Sequence, residues 1–148
     1  MVCLHGFVDS WRTWQLLLPE LEREHDVLAL TLAGHAGGPA IEGEVGETAL
    51  VDAAEQGMDA AGIDRAHLVG CSLGGYIALQ LAARGRAETV VALAPAGGWA
   101  PGDESFRDTL AFFRTMQDML KAAVPYADTI LASPEGRRRA TEFATVNY

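Results

Sequence analysis

The segment 68–76 constrains the fold more than any other part of the chain. A short apolar run leads into Gly-x-Ser-x-Gly, and an Ala- and Leu-rich stretch follows. A turn of this kind between a strand and a helix exposes the serine hydroxyl at the carboxyl end of the strand. The residues two before and two after the serine must be small, because strand and helix pass close together there. Gly70 and Gly74 meet that need, so the sequence predicts Ser72 as a nucleophile, although the pattern alone also fits a purely structural turn.

Strand-like and helix-like segments alternate along the chain, which favours an α/β fold with a parallel sheet between helices. Helices are predicted over 47–61 and 76–84, with Gly62 as the stop of the first. On that helix Leu50, Ala54, Met58 and Ala61 share one face. The predicted strands are short apolar runs at 1–5, 27–32, 66–71 and 89–94.

Two segments upstream extend the serine motif into a wider pattern. Residues 2–7 are typical of a strand that runs into a loop with the order His-Gly-Phe, and residues 34–37 read Gly-His-Ala-Gly after the next strand. In this order the three segments resemble the α/β-hydrolase family, and the resemblance runs along the whole chain. It implies a partial α/β-hydrolase fold, with the start of a helical lid. It also implies that the strands lie side by side in the order 27–32, 1–5, 66–71, 89–94.

The resemblance implies roles for residues around Ser72. The backbone N–H groups of Phe7 and Leu73 would form the oxyanion hole, and His5 and Gly6 would support the oxyanion loop. No metal or cofactor is expected, because the histidine spacings do not resemble a zinc site. Aromatic side chains in such folds are more often core than substrate contacts, yet three are candidates for lining a substrate pocket: Trp11, Tyr76 and Trp99.

The same resemblance divides the chain into two parts. Residues 1–98 correspond to the hydrolase core, without the family's opening strands and its C-terminal acid and histidine. Residues 99–148 correspond to an incomplete lid, in which Ser105 and Asp108 predict a capping box and Ser133 predicts a second helix start. The sequence is thus expected to be the front and central part of a longer hydrolase.

The partners of the nucleophile are the main departure from the family. A serine needs a base and an orienting acid, and in the family these follow the serine along the chain. Residues 94–97, one of the usual places for the acid, contain no carboxylate. His5 is the first candidate for a substitute base, whereas His35 is expected to order its own loop. All four histidines precede Ser72, at positions 5, 25, 35 and 67.

Two functions of different class follow from these observations. The first is a serine hydrolase that cleaves an ester or related acyl bond of a small apolar molecule through an acyl-serine. The second is a non-catalytic fragment or binding module that keeps the fold without a complete triad. A serine nucleophile argues against the haloalkane dehalogenase and epoxide hydrolase branches, which resemble this fold but use aspartate. A nucleotide-binding domain is disfavoured because neither of the usual glycine-rich phosphate loops is present.

Composition narrows the partners further. The net charge of −9 argues against nucleic acid and anionic membranes, since both would repel the chain. No signal-peptide pattern and no apolar run of membrane-spanning length is visible. Two cysteines give no disulfide framework, which suits the reducing cytoplasm. The outer strands of the predicted sheet would have open apolar edges, and such edges favour self-association.

Overall fold

The computed structural model describes residues 1–41, 46 and 48–142. It divides into two compact units, Met1–Gly98 and Trp99–Tyr148. The first unit is built on four strands, which are Val2–Leu4 (β1), Leu28–Leu30 (β2), Ala66–Cys71 (β3) and Ala87–Leu93 (β4). All neighbouring strands are parallel and their order is β2-β1-β3-β4. The α/β class and the strand order expected from the sequence are confirmed.

The helices of the first unit begin and end at residues suited to those positions. Ser10 caps a 3₁₀ helix at Trp11–Trp14, and its hydroxyl accepts the Arg12 N–H at 3.4 Å. Pro19 lies in the first turn of α1, where a missing N–H costs nothing. Gly62 follows α2 with a φ of +71°, which suits glycine. The α-helices among the described residues of this unit are Leu18–Leu21 (α1), Ala49–Ala60 (α2) and Leu73–Ala83 (α3).

The core of the first unit lies between one face of the sheet and helices α2 and α3. Leu4 and Leu68 from the strands and Met58 from α2 have no exposed surface. The face predicted for the helix over 47–61, which is α2, is partly wrong. Ala61 is exposed because it lies just beyond the end of α2, and Val51 is buried in its place. Three side chains of α3 are fully buried in this core: Ile77, Ala78 and Leu81.

The outer strands of the sheet are β2 and β4. On β4, Val91 and Leu93 are 49% and 47% exposed, although strands of parallel sheets are ordinarily covered on both faces. An exposed apolar strand at a sheet edge favours pairing with another chain. Self-association through these edges stays a prediction.

The second unit contains helices Ser105–Ala123 (α4), Ala127–Leu131 (α5) and Pro134–Thr141 (α6), with a 3₁₀ turn at Val124–Tyr126. Ser133 caps α6 as predicted, since its hydroxyl accepts the Gly136 N–H at 3.0 Å. The capping box predicted at Ser105 is wrong. Helix α4 begins at Ser105 itself, and the Asp103 carboxylate accepts the Ser105 N–H at 2.9 Å.

The interpretation of the second unit as a lid stays a prediction. Its longest helix, α4, has 19 residues and carries charged side chains at both ends, including Asp108 and Lys121. Across the parts of the chain that the structure describes, no helix combines the length and the apolar character needed to cross a membrane.

Candidate functional site

Ser72 occupies a strained turn between β3 and α3. Its φ of +52° and ψ of −113° lie where a side chain is disfavoured. Backbone hydrogen bonds hold it there. The Ser72 N–H donates to the Leu93 carbonyl at 2.9 Å, and its carbonyl accepts from Tyr76 at 3.0 Å and from Ala96 at 2.9 Å. The hydroxyl does not cap α3, so the turn leaves it available for chemistry.

The glycines around Ser72 leave no room for a side chain. A Cβ on Gly70 would overlap the carbonyl oxygen of Gly74, and a Cβ on Gly74 would overlap the carbonyl oxygen of Leu4. A Cβ on Gly75 would lie 3.0 Å from the Pro95 Cα. The backbones of β1, β3 and α3 therefore approach one another as closely as glycine allows, which fixes the position of the serine.

Backbone strain gathers at the carboxyl ends of three adjacent strands. Within the described residues, the non-glycine residues with positive φ are Val8 at 56°, Ser72 at 52° and Ala94 at 43°. They lie in the segments that follow β1, β3 and β4 respectively. Strain of this kind persists only where the surroundings impose it, and it clusters at functional sites. This edge of the sheet is therefore the candidate active site.

The loop after β1 lies against the serine turn. A Cβ on Gly6 would lie 3.5 Å from the Ser72 Cβ and 3.6 Å from the Cys71 carbonyl oxygen. On the other side of the serine, Leu73 is the first residue of α3, and the N–H groups of a first helical turn have no acceptor within the helix. The structure thus brings Gly6 and Leu73 to Ser72, and Phe7 directly follows Gly6 in the chain.

His5 is a buried, neutral link between two loops. Its Nδ1–H donates to the Gly6 carbonyl at 2.7 Å, and its Nε2 accepts the Leu32 N–H at 2.9 Å. Burial lowers the pKa of His5, the bond to Gly6 partly offsets this, and the nearby His35 lowers it further. Both ring nitrogens are occupied, so His5 cannot take a proton from Ser72. These two bonds argue against His5 as the substitute base, and its role as a support of the oxyanion loop stays a prediction.

Another histidine reaches the same loop. The His35 ring lies edge-to-face against the rings of His5 and Phe7, with centroid distances of 5.0 and 6.0 Å. Sequence reasoning assigned His35 only to its own loop. The signal that pointed further is the position of Gly-His-x-Gly after β2, because the carboxyl ends of neighbouring parallel strands meet at one edge. At the far end of β3, His67 contacts Thr89 instead.

The three aromatic residues predicted to line a substrate pocket belong to different elements of the chain. Tyr76 is half-buried in the first turn of α3, close to Gly97. Trp11 lines a cavity of about 270 Å³ between β2, the loop after it and α2, and the lining does not include Ser72. Trp99 belongs to the second unit, where its ring lies 6.2 Å from that of Phe106. A shared pocket stays a prediction.

Metal-ligating side chains do not gather in the described part of the chain. Within residues 1–41, 46 and 48–142, no three or more His, Cys, Asp or Glu side chains form a group that could hold an ion.

Comparison with known protein families gives a match over nearly the whole sequence. The model of a family described as the alpha/beta hydrolase family matches residues 1–145. Epoxide hydrolase EphH of Mycobacterium tuberculosis is 37% identical over 92 residues, which are 62% of this chain and 43% of that protein. A 2-hydroxymuconate semialdehyde hydrolase of a Pseudomonas species is 37% identical over 89 residues, 57% of this chain and 31% of that protein.

The fold is also similar to solved structures. A hydrolase from Pseudomonas aeruginosa superimposes with a TM-score of 0.67 and 26% sequence identity. That superposition covers 98% of this chain and 58% of the other. The chain thus spans 58% of this structure and less than half the length of the two relatives, 43% and 31%.

Proposed function

Because this chain belongs to the alpha/beta hydrolase family, we propose that it carries the nucleophile of a serine hydrolase. The substrate is an ester or related acyl compound of a small, mostly apolar molecule. The observation that carries the proposal is the conformation of Ser72, a non-glycine residue held at a φ of +52° on a turn that excludes any side chain at Gly70 and Gly74. A purely structural turn would relieve that strain by having glycine at position 72.

The proposed reaction begins with attack of the Ser72 Oγ on the substrate carbonyl carbon. The new C–O bond pushes the carbonyl π electrons onto oxygen, while the hydroxyl proton passes to a base. The oxyanion then accepts hydrogen bonds from the N–H groups of Phe7 and Leu73, and each donor stabilises it by about 3 kcal/mol in comparable sites. Collapse breaks the bond to the leaving group, which takes the proton from the base. Water then gives a proton to the base and attacks the acyl-serine, which releases the acid, and the base returns the proton to the Ser72 Oγ.

The base in this scheme is not His5. Its Nε2 accepts a hydrogen bond from the Leu32 N–H, and its Nδ1–H donates one to the Gly6 carbonyl. Taking a further proton would place a cation in a fully buried site and break the bond from Leu32. The reaction needs a proton acceptor other than this histidine.

The chemistry of serine favours acyl substrates over epoxides, although one relative bears the name epoxide hydrolase. Serine attack on an epoxide carbon gives an ether, which water does not cleave under mild conditions. Serine attack on an acyl carbon gives an ester, which water cleaves with the same site's help. The relative named for a semialdehyde substrate is in keeping with attack on a carbonyl group.

Hydrolysis of an activated ester by the full chain tests this proposal. We expect p-nitrophenyl esters of short acyl chains to be hydrolysed, and Ser72→Ala to abolish the reaction. Ser105→Ala is the matched control, because it removes a hydroxyl from the start of α4 and should leave the rate unchanged. A wild-type rate equal to that of Ser72→Ala would favour the alternative, a binding module that keeps the fold without catalysis.

A further inference from the structure

We propose that His35 is a positioning residue for the oxyanion loop, acting through the rings of His5 and Phe7. The inference rests on the proposed function, because it concerns the backbone N–H of Phe7 as an oxyanion donor. It assigns to the loop after β2 a part in catalysis that needs no contact between His35 and the substrate.

The backbone around His35 is fixed by a compact set of hydrogen bonds. The His35 N–H donates to the Leu32 carbonyl at 3.2 Å, and the His35 carbonyl accepts from Gly38 at 2.9 Å. The Gly34 N–H donates to the Pro39 carbonyl at 2.8 Å. The side chain is held as well, since its Nδ1–H donates to the Ala33 carbonyl at 3.1 Å. Both the position and the rotation of the imidazole ring are therefore set by its own loop.

From this fixed position the His35 ring contacts the loop after β1 twice. The planes of His35 and His5 meet at 76°, and those of His35 and Phe7 meet at 88°. Edge-to-face contacts between rings stabilise their packing beyond the effect of the area that they bury. A third link joins the same two loops, from the Leu32 N–H to the His5 Nε2.

These contacts fix the peptide group between Gly6 and Phe7. The carbonyl of Gly6 is held by the His5 Nδ1–H at 2.7 Å. The peptide between Gly6 and Phe7 is trans, so its N–H points away from its carbonyl and hence away from the His5 ring. His5 fixes one end of this peptide, and His35 packs against the Phe7 side chain at the other. Together they set the direction of the Phe7 N–H.

The test compares variants at position 35 by NMR, with ¹⁵N labels at phenylalanine, leucine and histidine. His35→Ala removes the ring, whereas His35→Phe keeps a ring but removes the bond to Ala33. A boronic acid that forms a tetrahedral adduct with serine serves as the probe, because its oxygen occupies the oxyanion position. Melting temperatures are measured for all three proteins to show that each is folded.

We expect the adduct to shift the amide signals of both Phe7 and Leu73 in the wild-type protein. In His35→Ala the Leu73 response should remain, the Phe7 response should be lost, and the boronic acid should bind on the order of tenfold more weakly. That loss is smaller than the 10²–10³ effect on rate of removing a donor outright. His35→Phe should bind within about threefold of wild type, because the ring contacts remain.

The outcomes separate the two proposals. No adduct in the wild-type protein would overturn the proposed function, and the role of His35 with it. An adduct whose Phe7 response and affinity are the same in His35→Ala would overturn the role of His35 alone. Equal losses in His35→Ala and His35→Phe would also overturn it, because they would show that the bond to Ala33, and not the ring contacts, governs the loop.

Discussion

Two regions of the first unit are stabilised in opposite ways. At the carboxyl edge of the sheet, the contacts around Ser72 are backbone against backbone, with no space for one methyl group at Gly70 or Gly74. Between α2 and the segment that joins α3 to β4, side chains form ion pairs instead. Arg84 pairs with Asp52 and Glu55 at 2.7 and 2.6 Å. This α2–α3 charge cluster also contains Arg86 and Asp59.

The difference shows where the chain requires a single geometry. Each arginine of the charge cluster has two carboxylate partners, since Arg86 pairs with Glu55 and Asp59. Removing one partner leaves another, and the side chains remain partly solvated. At the serine turn a carbonyl oxygen cannot move without moving a strand. The charge cluster should therefore tolerate substitution, and the serine turn should not.

The largest effect is expected from Gly74→Ala. The new Cβ would overlap the Leu4 carbonyl oxygen, which belongs to a central strand and cannot shift alone. We expect a loss of about 3 kcal/mol or more in the free energy of unfolding, measured by denaturant titration. Gly46→Ala is the matched control, because none of the described atoms lies within 4 Å of its Cβ and its φ is outside the left-handed region that favours glycine. Equal stability of the two variants would show that the close approach at the turn is absent.

Replacing His5 should cost less than Gly74→Ala but more than any change in the charge cluster. His5→Leu leaves the buried Leu32 N–H and Gly6 carbonyl without their partner, at a cost of about 2 kcal/mol. If the free energy of unfolding of His5→Leu lay within about 0.5 kcal/mol of the wild-type value, roughly the error of such a titration, the buried link through His5 would be contradicted.

The pH dependence of the wild-type protein gives a second measure of His5. Because burial lowers its pKa in the folded state, the unfolded chain binds this proton more readily. Stability is therefore complete above the unfolded pKa of about 6.5 and is lost as the pH falls towards the folded value. His5→Leu should lack this part of the slope. Parallel stability curves between pH 7 and pH 5 would contradict the prediction.

Ser72→Gly should make the protein more stable while removing its nucleophile. Glycine adopts a φ of +52° without strain, and the gain, after the entropy of a new glycine, is about 1 kcal/mol. Ser72→Ala is the matched control, because it removes the same hydroxyl but keeps the Cβ and the strain. A melting temperature of Ser72→Gly at or below that of Ser72→Ala would show that the turn stores no strain.

The smallest effect is expected in the charge cluster. Arg84→Gln removes the partner of Asp52, whose pKa is held down first by the Thr48 hydroxyl and then by Arg84. The stability from this carboxylate is present above its unfolded pKa of about 3.9 and is lost as the pH falls through the folded value. We expect a small drop in melting temperature that disappears in 1 M salt, where the screening length is about 3 Å. A large drop in melting temperature that persists in 1 M salt would mean that Arg84 stabilises the protein through the packing of its side chain and not through its charge.

Much of the fold could be predicted because local patterns decide it. Short apolar runs gave the strands, and the glycines at positions 70 and 74 marked a close approach. Local rules failed where two candidates competed. Ser105 is the first residue of α4 and not its cap, and the Asp103 carboxylate accepts the Ser105 N–H. Helix α2 ends at Ala60, so Ala61 lies beyond the helix and is exposed, whereas Val51 within the helix is buried.

The site could be predicted less completely, because its contacts join distant segments. The bond from Leu32 to His5 spans 27 residues, and no local pattern showed that it would occupy the nitrogen that a base needs. The approach of His35 to Phe7 likewise depends on how the loops after β1 and β2 pack. The roles of Ser72, Phe7 and Leu73 stay predictions until they are measured.

Mass spectrometry of the protein after reaction with a fluorophosphonate tests the central claim most directly. Loss of fluoride joins the probe's phosphorus to the attacking oxygen, so the labelled peptide identifies the nucleophile. We expect one adduct, on the peptide that contains Ser72, and no adduct in Ser72→Ala. Labelling of another residue, or an unlabelled wild-type protein that is folded by its melting curve, would contradict the assignment of Ser72 as the nucleophile.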